Sequence, residues 1–182
     1  MLPDLNIIRG KLVEFHGTPE ADTTRLAAGY IREMQQKHQA LTFYCDIRGE
    51  LSKTVEDESF YEKVWVTPFL SQVLTAKAIV YAAQYVDLIV IDDITYLEGD
   101  LWRILASLRN IARDYDAAIL LLNQKRCIPD RETKEFIETP YRFNAIRQYC
   151  SYAVDADTGG CQLLDGKEHG YDDFIEFLLQ AE

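Results

Sequence analysis

The chain has 182 residues, of which 48% are apolar and 27% are charged, a balance that is typical of globular proteins and excludes an intrinsically disordered one. The length suits one domain with a single hydrophobic core better than two. The formal net charge of −11 argues against a broad basic surface for nucleic acid, so any DNA contact would use a local loop or a partner.

From the sequence we expect neither a targeting signal nor a cysteine framework. No apolar run approaches the ~20 residues of a membrane-spanning helix, and the first residues, MLPDLNIIRG, place an acid where a signal peptide is basic. We therefore expect an intracellular protein, cytoplasmic or, in a eukaryote, nuclear, with no membrane contact. The four cysteines lack metal-binding spacing and are predicted to be free thiols: Cys45, Cys127, Cys150 and Cys161.

The first third of the chain has the pattern of a βαβ unit. Residues 11–16 (KLVEFH) form an apolar-rich, strand-like run that ends at Gly17. Residues 23–39 have apolar side chains at helical spacing, and residues 40–47 (ALTFYCDI) are again strand-like.

The middle of the chain continues the alternation after a charged stretch at 48–63. Strand-like runs lie at 64–69, 86–94 and 117–124, and helical patterns lie at 71–85 and 99–115. The run at 86–94, VDLIVIDDI, is apolar until it ends in two aspartates, as expected of a strand buried on both faces. The alternation predicts an α/β fold with a mostly parallel sheet covered by helices on both faces.

The final third of the chain changes character. Residues 125–143 are polar, contain two prolines and are predicted to form a long loop. Residues 144–157 indicate a short helix that runs into a strand, and residues 158–179 have the pattern of an antiparallel hairpin that turns near 166–170.

The stretch GTPEADTT, residues 17–24, has the length of the phosphate-binding pattern G-x-x-x-x-G-K-[ST] but lacks its key groups. Gly17 and Thr24 match, whereas Asp22 replaces the second glycine and Thr23 replaces the lysine. A carboxylate about 4 Å from a phosphate charge costs on the order of 4 kcal/mol at an effective dielectric near 20. Two interpretations follow: Thr23 or Arg25 still assists a nucleotide, or, as we favour, Asp22 caps a helix that starts at Thr23.

These segments, in this order, resemble the core of RecA/RadA-type recombinases, including the eukaryotic recombinase paralogues. The resemblance rests on GKLVEFHG, LIVIDDI, ILLLNQKR and NAIRQYCSYAVDAD, and it covers residues 8–179. It implies that residues 1–182 form a single RecA-like core domain. The implied fold is three-layer α/β, the RecA-like P-loop NTPase fold, with a mostly parallel central sheet and a C-terminal antiparallel hairpin.

The resemblance also assigns roles to residues at the ends of the strands. The Walker B-like strand at 87–92 ends in Asp92, which would hold Mg²⁺ together with Thr24 if a nucleotide binds. Gln124 matches the glutamine that senses the γ-phosphate. The alternatives are that Asp92 caps a turn and that Gln124 is a polar residue closing a strand.

The catalytic base of the family has no direct counterpart. The family places a glutamate two residues after the aspartate that ends the second strand, and this chain has Arg48 there. Arginine cannot accept a proton near neutral pH, so Glu50 is the remaining candidate for a base. The resemblance therefore implies a degenerate Walker A motif, impaired ATP hydrolysis, no required cofactor and at most weak binding of ATP and Mg²⁺.

The DNA-binding loops of the family are only partly retained. The first is reduced to the short, acidic connection at 94–100. The second corresponds to residues 125–143, where Phe136 and Tyr141 are available for stacking against single-stranded DNA. The basic candidates in this segment are Lys125, Arg126, Arg131, Lys134 and Arg142. Four acids (Asp130, Glu132, Glu135 and Glu138) are interleaved with them, so a solvated surface loop is the alternative to weak or shared DNA binding.

Eight aromatic residues outside these motifs are divided between the core and a possible docking surface, because aromatic side chains are enriched at interface hot spots. They are Phe60, Tyr61, Trp65, Phe69, Tyr81, Tyr85, Tyr96 and Trp102.

Three functions are compatible with the sequence. The first is a recombinase paralogue or accessory protein in homologous recombination or DNA repair, which binds another RecA-like subunit or a recombinase and has lost ATP hydrolysis. The second is a divergent DNA-dependent ATPase that uses Thr24, Asp92 and Glu50 and completes its site across a subunit interface. The third is an inhibitor or scaffold with the same fold and no link to recombination.

Overall fold

The computed structural model of the chain describes residues 2–68, 72–97, 99–129, 136–141 and 143–164. The helices and strands in these ranges, in chain order, are α1 (Leu5–Ile8), β1 (Leu12–Gly17), α2 (Thr23–His38), β2 (Thr42–Asp46), α3 (Leu51–Thr54), β3 (Val64–Pro68), α4 (Gln72–Ala82), β4 (Leu88–Asp92), α5 (Leu101–Tyr115), β5 (Ala118–Pro129), β6 (Phe136–Pro140), α6 (Phe143–Tyr149), β7 (Cys150–Asp155) and β8 (Gly160–Leu163). Short 3₁₀ turns lie at Pro19–Ala21, Glu58–Lys63 and Ile94–Tyr96.

The strands form one sheet in the order β3-β2-β4-β5-β1-β7-β8, with β6 paired to β5. Neighbouring strands from β3 to β7 are parallel, whereas β7 pairs with β8 and β5 pairs with β6 in antiparallel fashion. The predicted mostly parallel sheet and antiparallel hairpin are therefore confirmed. The hairpin is formed by β7 and β8, and the turn predicted near 166–170 lies outside the described residues.

The central strands are buried on both faces, as the apolar run of β4 predicts. Ile89 and Ile91 pack with α4, α5 and α6 in one hydrophobic cluster, whereas Leu88 and Val90 pack with α1 and α2 in the other. Full burial of such a side chain contributes roughly 1.5–3 kcal/mol, so two apolar layers of this kind fix the helices on both sides of the sheet. Helix, sheet and helix form three layers.

The segment at 125–143 differs from the predicted loop, and that prediction was wrong. β5 continues to Pro129 beyond the main sheet and pairs there with β6, so that Ile128 lies opposite Ile137. The loop was predicted from the polar character, prolines and mixed charges of residues 125–143 as a whole, whereas most residues of this ribbon are exposed and carry no burial pattern typical of a strand. α6 then follows at Phe143–Tyr149, close to its predicted position.

The carboxyl ends of four parallel strands meet at one edge of the sheet. In the strand register Gly17 of β1 lies beside Gln124 of β5, and Asp46 of β2 lies beside Asp92 of β4. Ligands of open α/β sheets bind at this edge, so the fold gathers the candidate residues where a site is expected. None of the helices in the described ranges combines the length and apolar character needed to cross a bilayer.

Candidate functional site

The segment 17–24 joins β1 to α2 through one 3₁₀ turn at Pro19–Ala21, and Asp22 lies between this turn and α2. Asp22 is the N-cap of α2, with φ of 47°, and its Oδ1 accepts a hydrogen bond from the backbone N–H of Arg25 at 3.0 Å. The predicted capping role is confirmed. A helix N-terminus is a ready anion site because its first N–H groups are unpaired, and here the carboxylate of Asp22 takes one of them.

A second carboxylate binds the start of the same segment. Asp157, from the turn between β7 and β8, accepts hydrogen bonds from the backbone N–H of Thr18 at 3.1 Å and from its hydroxyl at 2.6 Å. Lys125 Nζ donates to Asp157 at 2.7 Å and to Asp155 at 2.8 Å. Hydrogen bonds from Lys125 and Thr18 lower the pKa of Asp157 to about 2, so this carboxylate stays ionised at neutral pH.

Gly17 allows the segment to pack this closely. A Cβ at position 17 would lie 2.8 Å from Cβ of Ala21 and 3.0 Å from Cβ of Ala156. Glycine is therefore required here for the close approach of the 3₁₀ turn and the β7–β8 turn. Thr23, at the predicted lysine position, is the first residue of α2 and is buried.

A buried polar cluster connects the ends of α2, β2 and β4. The hydroxyls of Thr24 and Tyr44 each donate to Asp92 Oδ2 at 2.7 Å, and all three side chains are at most 1% exposed. Burial raises the pKa of Asp92, while the bonds from Tyr44 and Thr24 and the charge of Arg48 oppose the rise. Burial, together with the charge of Asp92, also raises the pKa of Tyr44 well above its usual value. The Tyr44 hydroxyl therefore stays protonated at neutral pH and donates the hydrogen bond to Asp92.

Arg48 lies beside the two predicted metal ligands, which are hydrogen-bonded directly to each other. Its Nη2 donates to Thr24 Oγ1 at 3.2 Å, and its Nε is 3.5 Å from Asp92 Oδ1. Two unit charges 4 Å apart interact by about 4 kcal/mol at an effective dielectric near 20, so a divalent ion that close to the guanidinium meets about 8 kcal/mol of repulsion. With no lysine in the segment, the carboxylates of Asp22 and Asp157 at its two ends and the guanidinium of Arg48 beside Asp92, the residues present do not fit Mg-ATP.

Glu50, the remaining candidate base, is held by a neighbour. It precedes α3, where Lys53 Nζ donates to its Oε1 at 2.9 Å. The hydrogen bond and charge of Lys53 lower the pKa of Glu50, which makes it a weaker base than a free glutamate. Asp46, at the end of β2, accepts the backbone N–H groups of Glu50 and Leu51 and fixes the turn that carries Glu50.

A polar cavity of about 400 Å³ remains between these groups. Its lining residues are Thr18, Pro19, Asp22, Thr23, Thr24, Arg48, Glu50, Thr54 and Gln124. The structure thus brings the predicted Thr24, Glu50 and Gln124 to one space. The described residues include no group of three or more His, Cys, Asp or Glu side chains placed to hold a metal ion.

Asp93 and Gln124 lie at the same end of the sheet. Asp93 is buried and caps the following 3₁₀ turn through the backbone N–H of Thr95 at 2.8 Å. Burial raises the pKa of Asp93, and hydrogen bonds from Thr95 and Gln124 and the charge of Arg48 partly offset the rise. Gln124 lines the cavity, and its backbone N–H donates to Asn123 Oδ1 at 2.9 Å.

The predicted DNA-binding residues are in different surroundings. Lys125 is only 12% exposed because of its ion pairs, and those two carboxylates raise its pKa although burial opposes its charge. Arg126 is exposed and stacks on Tyr141, with Cζ 3.9 Å from the ring centroid. Phe136, the other stacking candidate, is 75% exposed on β6. Arg131, Lys134 and Arg142 lie outside the described residues.

Sequence reasoning missed several polar residues of this region. Tyr44 and Asp157 had not been assigned, and neither had Glu14 and Asn123, a fully buried pair in which Asn123 Nδ2 donates to Glu14 Oε1 at 2.6 Å. A polar side chain inside an otherwise apolar strand is the signal that could have found Tyr44, Glu14 and Asn123. Asp157 had no such signal, because it lies in a turn among other polar residues.

The comparisons with known proteins bear on the fold. No family model matches the chain, and no curated protein matches its sequence. The solved structures to which it is similar include a KaiC-like protein from the hyperthermophilic archaeon Pyrococcus horikoshii, with a TM-score of 0.60 and 15% identity over 81% of this chain and 71% of that one. They also include the RadB recombinase, with a TM-score of 0.57 and 16% identity over 81% of this chain and 74% of that one. Together with the observed sheet order, these similarities establish that the chain has a RecA-like fold.

Proposed function

We propose that this chain is a recombinase paralogue or accessory protein in homologous recombination or DNA repair, which acts through protein contacts and does not hydrolyse ATP. The observation that carries the proposal is the position of Arg48, 3.2 Å from Thr24 Oγ1 and 3.5 Å from Asp92 Oδ1. It puts a positive charge where a recombinase ATPase needs Mg²⁺, and it removes the base that the family has at this position.

The phosphate side of the site supports the same proposal. The segment 17–24 has no lysine, so no side chain in it offsets the charge of a β- or γ-phosphate. Asp157 and Asp22 accept N–H groups at the two ends of the segment, from Thr18 and Arg25. We therefore interpret the segment as a degenerate Walker A motif in which carboxylates of the chain occupy the N–H groups of Thr18 and Arg25.

The partner surface that we propose is the open edge of the sheet with the helix beside it. Among the described strands β3 pairs only with β2, so one row of its backbone groups is unpaired. Trp65 of β3 is 46% exposed and shares a sheet face with Phe43, its register partner, which packs on α4. We call this edge, together with the exposed α4-side residues Leu74, Val80, Tyr81 and Tyr85, the β3–α4 surface.

Such a surface suits a protein partner. An uncharged edge strand can be extended by a strand from another chain, and exposed aromatic side chains are typical interface anchors. We propose another RecA-like subunit or a recombinase as the partner, because the fold is shared with the RadB recombinase and such a role needs no nucleotide site in this chain. This function requires an intracellular location, in the cytoplasm or nucleus.

Single-stranded DNA is a secondary part of the proposal. Lys125 is neutralised by two aspartates, so among the described residues Arg126 is the cation best placed for DNA on the β5–β6 ribbon. The exposed ring of Phe136 adds a stacking platform. This small set favours weak or shared binding through residues 125–143.

Two measurements test the proposed function. Affinity purification of the tagged chain from its native cell is expected to recover a recombinase or a sister paralogue, and recovery of an unrelated target would favour the scaffold function instead. Purified protein is expected to show no ATP turnover with or without single-stranded DNA. Micromolar Mg-ATP binding with turnover that Asp92→Ala abolishes would overturn the proposal.

A divergent ATPase is the second candidate, and the observation that favours it is the polar cavity of about 400 Å³. Thr24, Glu50 and Gln124 line this cavity, and a neighbouring subunit would have to supply the missing lysine. Turnover that appears only in the reconstituted complex, and that Glu50→Gln in this chain abolishes, would establish this function.

A further inference from the structure

The buried carboxylate of Asp92 requires a positive counter-charge, and a side chain of the same chain supplies it. A carboxylate that is 0% exposed needs a compensating charge as well as hydrogen-bond donors, since an uncompensated buried charge is costly. The donors are the hydroxyls of Thr24 and Tyr44. The charge comes from Arg48, which follows β2 by two residues.

The contact between Arg48 and Asp92 is looser than a paired hydrogen bond. Arg48 Nε and Asp92 Oδ1 are 3.5 Å apart, and within the described part of the chain neither of these two buried atoms has a hydrogen-bond partner. The second contact of the guanidinium is with the hydroxyl of Thr24. Arg48 is thus positioned by its charge, and its contacts are oxygens of the kind that Mg²⁺ and Mn²⁺ prefer.

The same side chain also lines the polar cavity beside the cluster. Arg48 is 24% exposed, whereas Asp92 behind it is fully buried. A side chain that lacked the guanidinium but kept its length would open the cavity towards Asp92 Oδ1 and leave this carboxylate without a counter-charge.

We propose that Arg48 is the resident cation of this site and supplies, in place of a divalent metal ion, the positive charge beside the hydrogen-bonded pair of Thr24 and Asp92. The ends of α2, β2 and β4 are thereby fixed in one arrangement that depends on neither nucleotide nor metal. This inference deepens the proposed function and rests on its inactive site. It makes a separate claim, namely that one protein cation and one divalent ion are interchangeable in stabilising the fold.

The test compares thermal unfolding in EDTA and in millimolar Mn²⁺ for the wild type, Arg48→Met and Arg48→Lys. The wild type and Arg48→Lys, which keep a positive charge, are expected to fold and to show the same Tm in both conditions. Arg48→Met is expected to lose about 5–10 °C in EDTA because Asp92 loses its counter-charge. Mn²⁺ is expected to restore at least half of that loss, as ligand binding to the folded state does at concentrations well above Kd.

Two further variants decide what the restored stability means. In Arg48→Met with Asp92→Asn the Mn²⁺ effect is expected to disappear, because the carboxylate that would hold the ion is gone. Arg103→Met serves as a matched control, since Arg103 pairs with Asp100 at an exposed position, 3.3 Å away, and no Mn²⁺ effect is expected there.

The proposal is overturned if Mn²⁺ stabilises the wild type as much as Arg48→Met. It is also overturned if Arg48→Met does not respond to Mn²⁺, or stays unfolded in Mn²⁺ while Arg48→Lys folds. None of these three outcomes contradicts the proposed function, because that function is tested separately by ATP turnover and by partner recovery.

Discussion

Two regions of this molecule differ in which side chains they expose to solvent: one buries its charged and polar groups, and the other exposes its aromatic ones. At the carboxyl end of β4, Asp92 and its partners Thr24 and Tyr44 are withdrawn from solvent and hydrogen-bonded to one another, and Arg48 supplies the counter-charge. On the β3–α4 surface, Trp65 and Tyr81 are 46% and 64% exposed. A region that has satisfied its own charges offers little to a ligand, whereas apolar side chains left in water gain when another surface covers them.

The largest effect is expected where the buried region loses its carboxylate. Asp92→Ala leaves the charge of Arg48 and the hydroxyls of Thr24 and Tyr44 without their shared acceptor, so we expect the free energy of unfolding to fall by about 3–5 kcal/mol. Chemical denaturation followed by circular dichroism measures it. Asp114→Ala, in an exposed pair with Arg113, is the control and should change stability by no more than about 0.5 kcal/mol. A loss below about 1 kcal/mol for Asp92→Ala would show that the cluster does not stabilise the fold.

The exposed region should show the opposite response. Trp65→Ala combined with Tyr81→Ala is expected to weaken binding of the recovered partner by about 2 kcal/mol or more, because truncating aromatic anchors removes most of an interface's energy. The free energy of unfolding should change less than in Asp92→Ala, since Trp65 is 46% and Tyr81 is 64% exposed. Titration calorimetry measures the binding, with Tyr115→Ala, another exposed aromatic substitution, as the matched variant. Unchanged affinity in the double variant would place the interface elsewhere.

The packing of the segment 17–24 is tested by a single methyl group. Gly17→Ala brings a Cβ within 2.8 Å of Ala21 and 3.0 Å of Ala156, so we expect a loss of about 1–3 kcal/mol from overpacking. Gly29→Ala adds the same methyl to the middle of α2, where nothing lies within 4 Å, and should stabilise by up to about 1 kcal/mol. The two variants are compared by urea denaturation. If both gained stability, the close contact at Gly17 would be disproved.

The smallest effect concerns pH. The pKa of Asp157 in the folded chain is about 2, below its ordinary value of 3.8, so its contribution is fully present above about pH 4 and is lost as the pH falls towards 2. Asp157→Asn should therefore be less stable than the wild type at neutral pH, and the two proteins should converge between pH 4 and pH 2. Denaturation curves across this range measure the difference, and a constant gap between the proteins would contradict the assignment.

How much the sequence predicts depends on how local each feature is. The cap at Asp22 was predicted because the signal lies within three residues of the helix start, and the buried strand ending at Asp92 was predicted from one apolar run. The contact of Arg48 with Thr24 and Asp92 could not be predicted, because it depends on the parallel register of the strands. Arg48 is 24 residues from Thr24 in the sequence, and Asp92 is 68 residues from Thr24. The β5–β6 ribbon was missed because it is exposed on both faces and carries no alternation of polar and apolar residues.

Three charged side chains, Asp22, Asp157 and Arg48, determine whether one substitution could give this site affinity for Mg-ATP. Thr23→Lys alone would introduce the signature lysine, yet Asp22 and Asp157 would still accept the N–H groups of Arg25 and Thr18, and Arg48 would still lie beside Thr24 and Asp92. Each of these groups would have to be replaced as well before Mg-ATP found vacant donors. Under the proposed function, ATP hydrolysis would therefore require changes at four positions at once, and no single substitution is expected to produce it.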